Sequence, residues 1–395
     1  MKWFTCTPIA RKGNHTVFNQ NSGLYCKTFQ QLGIESKLVK LVPAQDDDWT
    51  DDIIRAEYRN LEDPAWWRSH QLDGVILYAW GKACYTPIAK AIHESGAKLV
   101  VYLDTGEFVY PWQNWWAKTK LILFCVKNQS PKHWVIRFIK EFLFANLNIL
   151  NYPKRRKHFD YADLIGIPSA GGIENHKKVP FLFSPKSKEA VFLMPGPVAT
   201  YQRYNGTPKE NRVMAVGRWD DVAQKRPGYM TSAIDLALKR DGDVEFDIFG
   251  QTSEFLSQWH AGLPAPHQRR VVLHGMQQSE ILTQYYRRAS VCICPSSFEG
   301  THNVSSEAVC NGASLVVANN PFTRVVQWYT THDSGCVSKE DTPESFGEAI
   351  IEELQAWKRG ERDPQAISDF WCGRLHAANS VRKILEKLSM AYEYK

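Results

Sequence analysis

The densest chemistry in the chain lies in Cys294-Pro-Ser-Ser-Phe-Glu-Gly-Thr-His-Asn-Val-Ser-Ser-Glu-Ala-Val-Cys-Asn-Gly-Ala. Ser290 to Pro295 reads as a strand, a loop opens at Ser296, and a short helix is expected over 305–310. Ligands of open α/β sheets collect at the carboxyl ends of strands, and the free amides of a helix start attract phosphate. Gly300 allows the backbone to approach a ligand closely. Glu299 precedes this amide cluster and Glu307 falls inside the helix. A carboxylate in a diphosphate site makes sense only if it binds hydroxyls, since it accepts two hydrogen bonds from a vicinal diol of a sugar or ribose. Upstream, Arg218 follows Gly217 at the end of an apolar strand, and Lys225 stands seven residues on. Cations so placed would neutralise a pyrophosphate leaving group as its charge develops, with no metal required. Taken singly, each reads equally well as a surface charge.

These residues need a scaffold, and the chain repeats one grammar twice. At 395 residues it is long enough for two or three domains, taking about 150 residues for each. With 44% hydrophobic and 23% charged residues it is neither disordered nor collagen-like. In the first half, strands at 2–8, 37–42, 73–80 and 98–104 alternate with helices at 23–32 and 85–95. The runs Asp73–Trp80 and Lys98–Asp104 are almost continuously apolar, as strands buried on both faces must be. Two further strands begin at Asp163 and Ala190, and Pro195-Gly196-Pro197 then breaks the pattern. The second half restarts it, with strands at 212–218, 244–250, 270–275, 290–295 and 313–318 and helices at 228–239 and 279–288. Helices fill the chain from Pro343 onward. The expected fold class is α/β, with two Rossmann-like, doubly wound parallel domains.

The nine cysteines include no Cys-x-x-Cys, which disfavours zinc ribbons and redox pairs. Dilute and odd in number, they read as buried reduced thiols of a cytosolic protein. No metal site is expected. Asp46-Asp47-Asp48 lies in a polar loop and reads as a solvated turn. No secretory signal is expected at the start, and no uncharged run approaches the ~20 residues of a spanning helix. The net charge of +6 is concentrated: residues 115–160 hold ten Lys/Arg against Glu141 and Asp160, or +8, leaving −2 elsewhere. Aromatics are interleaved with these bases, and Trp134, Phe138 and Phe142 recur at i, i+4, i+8 with Lys132 and Lys140 beside them. Such a segment suits an anionic lipid surface, a core helix with a solvated basic face, or single-stranded nucleic acid. No nucleic-acid partner is expected here.

The ordered set Val-Gly-Arg218…Lys225-Arg-Pro, Pro-Ser-x-x-Glu299-Gly…Glu307-Ala…Gly-Ala-x-Val-Val resembles the donor domain of retaining glycosyltransferases with the GT-B fold, in the family four class. The landmarks cover roughly residues 212–320 and include that class's Glu-x7-Glu spacing, here Glu299 to Glu307. The resemblance implies two domains facing a central cleft: an acceptor domain at 1–200, a nucleotide-sugar donor domain at 201–375, and a helix at 376–395 packing back on the first. It implies that Arg218 and Lys225 grip the donor diphosphate, Glu299 meets the transferred sugar and Glu307 holds the ribose diol. Gly217, Gly250, Gly300, Thr301, His302 and Asn303 would complete the donor site, with Glu299, Arg218 and Lys225 as the catalytic group. The sequence departs from the family at Thr301-His302-Asn303, a stretch usually small or glycine-containing. It departs again at Asp104, where many relatives carry a histidine. Gly13, Asn14 and Asp104 are the acceptor-side candidates. The implied activity is metal-independent, retaining transfer from a nucleotide-diphosphate sugar to a glycan or lipid-linked glycan, without a cofactor. It would take place in the cytoplasm or peripherally on the inner face of a membrane, through 115–160. A sugar phosphorylase, a nucleotide-sugar epimerase and a non-catalytic module of the same fold remain open alternatives.

Overall fold

The computed structural model describes residues 1–9, 15–19, 21–43, 51–79, 82–103, 115–147, 152–177 and 189–389. The chain divides into two compact units. The first comprises Met1–Pro111, Asn146–Thr200 and Arg374–Lys395, and the second Trp112–Ala145 and Tyr201–Gly373. Residues 112–145, expected in the N-terminal domain, therefore group with the second unit.

The first unit holds a seven-stranded sheet in the order β3-β2-β1-β4-β5-β6-β7. Its strands are β1 (Lys2–Cys6), β2 (Glu35–Leu41), β3 (Ile53–Ala56), β4 (Gly74–Ala79), β5 (Lys98–Leu103), β6 (Leu164–Ile167) and β7 (Val191–Leu193). All the pairings are parallel. Every residue of β4 is buried, which is why its sequence lacks the alternation of a half-exposed strand. One core layer joins Trp3, Phe29, Tyr78, Tyr102 and Met194 to Val381, Ile384 and Leu385 of the helix Ala377–Lys387. The strip Val198–Ala377 is tied by two backbone hydrogen bonds, Val198 N to Leu375 O and Ala377 N to Val198 O. Hydrophobic burial thus holds the last helix in the first unit.

The second unit holds a six-stranded parallel sheet in the order β10-β9-β8-β11-β12-β13. Its strands are β8 (Glu210–Val216), β9 (Glu245–Phe249), β10 (Val271–Gly275), β11 (Ala289–Cys294), β12 (Ser314–Val317) and β13 (Gly335–Val337). The short edge strands β3 and β13 have no period long enough to be read from sequence. The helices Pro227–Arg240 and Pro343–Lys358 both begin with Pro at the first turn, where its missing N–H costs nothing. Both pack into the same core, with Met230, Ile234, Phe346 and Ile350 fully buried.

The basic aromatic segment is not one surface. It forms the helices Trp115–Gln129 and Trp134–Leu147 in the second unit, while Lys154-Arg155-Arg156-Lys157 belongs to the first. Trp134, Phe138 and Phe142 are half-buried. Phe142 stands 5.8 Å from Trp115, and Lys127 lies 4.8 Å over Trp134. That face is partly covered by contacts between the two helices and partly open to solvent. Of the nine free thiols, Cys84 is exposed and Cys125 and Cys336 are half-buried, so the expectation of uniformly buried thiols fails at three positions. No helix among the described residues is long and apolar enough to cross a membrane.

At the carboxyl ends of β8 and β9, the turns Gly217 and Gly250 are stacked backbone on backbone. Gly250 has φ +108°, and a Cβ there would stand 1.8 Å from the Gly217 carbonyl oxygen. Gly250→Ala combines left-handed strain with a backbone clash, so it should lower stability by at least ~2 kcal/mol. A denaturant midpoint indistinguishable from that of the unsubstituted protein would contradict this close approach.

Candidate functional site

The site assembles where β8 and β11 end side by side. After β8, Gly217-Arg218-Trp219 turns out of the sheet. The buried Trp219 anchors that turn by donating from Nε1 to Phe249 O at 2.8 Å. Asp221 then caps the short helix Val222–Lys225, accepting from Gln224 N at 3.1 Å. Arg226 ends it in a left-handed conformation, φ 47°. Its guanidinium donates to Pro295 O at 2.6 Å and pairs with Asp341 at 2.7 Å, stacked 3.9 Å over Tyr229. These contacts staple the 218–226 loop to the end of β11, and Ser297 adds a hydrogen bond from Oγ to Ala223 O at 2.6 Å.

That clamp aims Lys225 inward. Its Nζ meets Glu299 Oε1 at 2.5 Å, with both side chains almost entirely buried. Gln224 Nε2 donates to Glu299 Oε2 at 3.2 Å and to Phe298 O at 3.2 Å, while its Oε1 accepts from Arg218 at 3.0 Å. Arg218 itself is largely exposed and also faces Asp221 at 3.4 Å. His302 Nε2 lies 3.8 Å from Glu299 Oε1, and its Nδ1 is 2.6 Å from Ser305 Oγ. Burial pushes the Glu299 carboxyl up, but His302 and Lys225 outweigh it and hold it below the ordinary carboxylate range. Burial drives His302 down to about 4, only partly countered by Glu299, so the imidazole is neutral at pH 7. The cluster therefore contains one buried carboxylate and one buried ammonium, with a more exposed guanidinium two contacts away.

The candidates brought together are Arg218, Lys225, Glu299 and His302. Gly300 and Thr301 form the half-buried loop between Glu299 and His302. The helix starts at Asn303, two residues before the expected Ser305, and runs to Cys310 with His302 as its N-cap. His302 offers no side-chain hydrogen bond to the cap, and the buried Asn303 Oδ1 has no partner. Glu307 stands apart from the ion pair. It is half-buried beside Tyr286, and burial pushes its carboxyl up to about 7, opposed by the Tyr286 hydroxyl. Gly250 reaches the site through the Gly217 turn and donates its amide to Gly275 O at 2.8 Å. Gly13, Asn14 and Asp104 lie outside the described residues. Sequence reading missed Gln224, Arg226 and Ser297. The uninterrupted Gln-Lys-Arg-Pro before a helix was the one available signal, because proline restricts the residue before it.

Residues 210–356 match the model of the family described as Glycosyl transferases group 1. No curated protein matches the chain. Among solved structures, the apo form of the lipopolysaccharide outer core galactosyltransferase WaaB is 14% identical, with TM-score 0.60 over 98% of this chain and 99% of that one. Anabaena Alr3699/HepE in complex with UDP and glucose is 13% identical, with TM-score 0.62 over 99% of this chain and all of the other. Sucrose-phosphate synthase from Thermosynechococcus elongatus is 11% identical, with TM-score 0.63 over the same shares. At these identities the likeness carries the fold, and the fold is GT-B.

The two unusual titrations have opposite effects on stability. Above its unfolded value, Glu307 holds a proton in the native state that the unfolded chain releases, so its contribution falls as pH rises from about 4.5 to about 7. His302, depressed, does the reverse between about 4 and 6.5. Glu307→Gln isolates the first effect. At pH 8 it should be more stable than the unsubstituted protein by about 1 kcal/mol or more, and at pH 4 the gap should close. Chemical unfolding at the two pH values decides, and a constant difference would reject the raised carboxyl.

Proposed function

We propose that the chain is a retaining glycosyltransferase of the family four class, moving a sugar from a nucleotide-diphosphate donor to a glycan or lipid-linked glycan. The observation that carries this is the Arg218–Gln224–Glu299–Lys225 chain of contacts at the carboxyl ends of β8 and β11. It lies within the stretch that matches a glycosyltransferase family model. A phosphorylase or epimerase of the same fold remains the second reading.

In this reading the buried ion pair is the resting state. Lys225 leaves Glu299 for the donor diphosphate, Arg218 meets the same anion from the solvent side, and Glu299 turns to the hydroxyls of the transferred sugar. Gln224 touches both Arg218 and Glu299, so one loop coordinates diphosphate and sugar. The amides opening the Asn303 helix face phosphate oxygens, and Glu307, one turn on, takes the ribose diol as a carboxylate. Lys225 and Arg218 do the electrostatic work a metal does elsewhere. Attack from the leaving-group face, with the departing phosphate accepting the acceptor's proton, retains the anomeric configuration.

The acceptor is met at an anionic membrane surface on the cytoplasmic side. What supports this is the helix Trp134–Leu147, which buries none of its residues. Its outward side chains include Ile136 at 73% and Phe144 at 64% exposure, and Trp116 on the preceding helix is 73% exposed. From 115 to 147 the sequence carries Lys118, Lys120, Lys127, Lys132, Arg137 and Lys140 against Glu141 alone. Apolar residues on an exposed face, flanked by bases, bind acidic headgroups by burial and charge together.

Lys225→Ala should lower transfer about 10²- to 10³-fold, on the scale of losing one transition-state donor. Glu299→Ala should keep free-nucleotide affinity while losing transfer, and Glu307→Ala should weaken nucleotide and nucleotide sugar alike. Proton NMR of the product should show the donor's anomer. Undiminished turnover in Lys225→Ala, or an inverted product, overturns the assignment. For the membrane, co-sedimentation with phosphatidylserine vesicles should be strong at low salt and fall as salt rises. Ile136→Glu with Phe144→Glu should weaken it at every salt concentration. No binding at low salt rejects the surface.

A further inference from the structure

Glu299 also shares a second set of ligand atoms with Cys294 and His302, two residues to which the proposed transfer assigns no role. Cys294 Sγ, a Glu299 carboxylate oxygen and a His302 ring nitrogen all lie within 4.8 Å of one another, and all three residues are buried. Cys294 Sγ is 3.8 Å from His302 Nε2, which is 3.8 Å from Glu299 Oε1. Zinc bound at its usual ~2.3 Å to sulfur and ~2.0 Å to nitrogen and oxygen holds such donors about 3.3–3.6 Å apart, so small side-chain shifts would close the site. Two further features fit a metal. His302 Nδ1 is engaged by Ser305 Oγ at 2.6 Å, which orients the ring and turns Nε2 toward the other two donors, as the outer partner of a ligating histidine does. The buried Ser296 hydroxyl lies within hydrogen-bonding reach of both Cys294 and Glu299, an outer partner for two of the three donors.

We infer that Cys294, Glu299 and His302 form a binding site for zinc or a similar borderline-soft divalent cation, and that its occupancy excludes the donor. Lys225 stands on Glu299 Oε1, the oxygen nearest His302, so ammonium and metal compete for one carboxylate. On binding, the Cys294 thiol releases its proton to solvent, the thiolate, imidazole and carboxylate take three positions, and a small oxygen ligand completes the fourth. Lys225 is displaced as a cation, and Glu299 is no longer available to sugar hydroxyls. The inhibitory consequence rests on the proposed donor site, whereas the metal site itself rests on the three donors alone. Sequence reading assigned no metal from the absence of Cys-x-x-Cys, and Cys-x4-Glu-x2-His is none of the usual zinc spacings.

Cobalt(II) chloride titrated into the whole chain tests this without an activity assay. One equivalent should produce a thiolate-to-cobalt charge-transfer absorption and the strong visible bands of a tetrahedral ion, both abolished by zinc. Cys294→Ser should remove the charge-transfer band, and His302→Gln should weaken binding at least tenfold. Circular dichroism would establish that each variant is folded, and if Cys294→Ser is not, Cys294→Ala replaces it. Absence of the band at equimolar cobalt, or its persistence in the folded Cys294 variant, overturns the site. UDP added first should weaken cobalt binding severalfold. If cobalt binds equally well with UDP bound, the claim that metal excludes donor fails. If none of UDP, GDP, ADP and dTDP binds, the donor reading fails while the metal site stands.

Discussion

The ion pair between Lys225 and Glu299 is the contact on which the second unit's functional end depends. Two charges taken out of water are costly unless they meet each other at close range, and here they do, at 2.5 Å. The protein uses several hydrogen bonds to enforce that meeting. Arg226 locks the loop to Pro295 O, Ser297 holds Ala223 O, and Gln224 occupies the second oxygen of Glu299. Remove either charge and the other is buried alone, so the pair is a stored electrostatic tension that a diphosphate and a sugar could together relieve. In the proposed reading, an anionic ligand replaces Glu299 as the partner of Lys225, and hydroxyl donors replace Lys225 as the partners of Glu299.

The two glutamates of the Glu-x7-Glu spacing are chemically unlike because their surroundings differ. Glu299 is held ionised by cationic and imidazole neighbours in spite of its burial. At Glu307 desolvation dominates, opposed by the Tyr286 hydroxyl, and its carboxyl is pushed up to about 7. A carboxyl poised there gains most from two hydroxyl donors arriving together, as a ribose diol would provide. Identical side chains eight positions apart are thus given opposite protonation tendencies by desolvation and charge.

The same reasoning separates the two readings of the basic, aromatic stretch. Its aromatic periodicity is satisfied inside the pair of helices, where Trp115, Phe138 and Phe142 meet. The apolar residues that reach solvent include Trp116, Ile136, Ile139, Leu143, Phe144 and Leu147. The two helices belong to the unit that carries the donor residues, and Trp115–Gln129 packs on the short Val222–Lys225 helix.

Much of this protein was readable from its residues. The continuous apolar runs at β4, β5 and β11 announced a doubly wound parallel sheet, because strands buried on both faces cannot alternate. Arg218, Lys225, Glu299 and Glu307 stood out because strand ends and glycines bracket them, and those signals are local. Strands of three or four residues at β3 and β13 were not legible, since pairing with a neighbour, and no internal period, defines them. Nor was the assignment of 112–145 to the second unit, which follows from contacts between segments about a hundred residues apart. The partners of Lys225, the role of Arg226 and the meeting of Cys294 with His302 were decided by tertiary structure alone. A charge's worth depends on its distance to other charges and on the dielectric around it, and sequence spacing specifies neither.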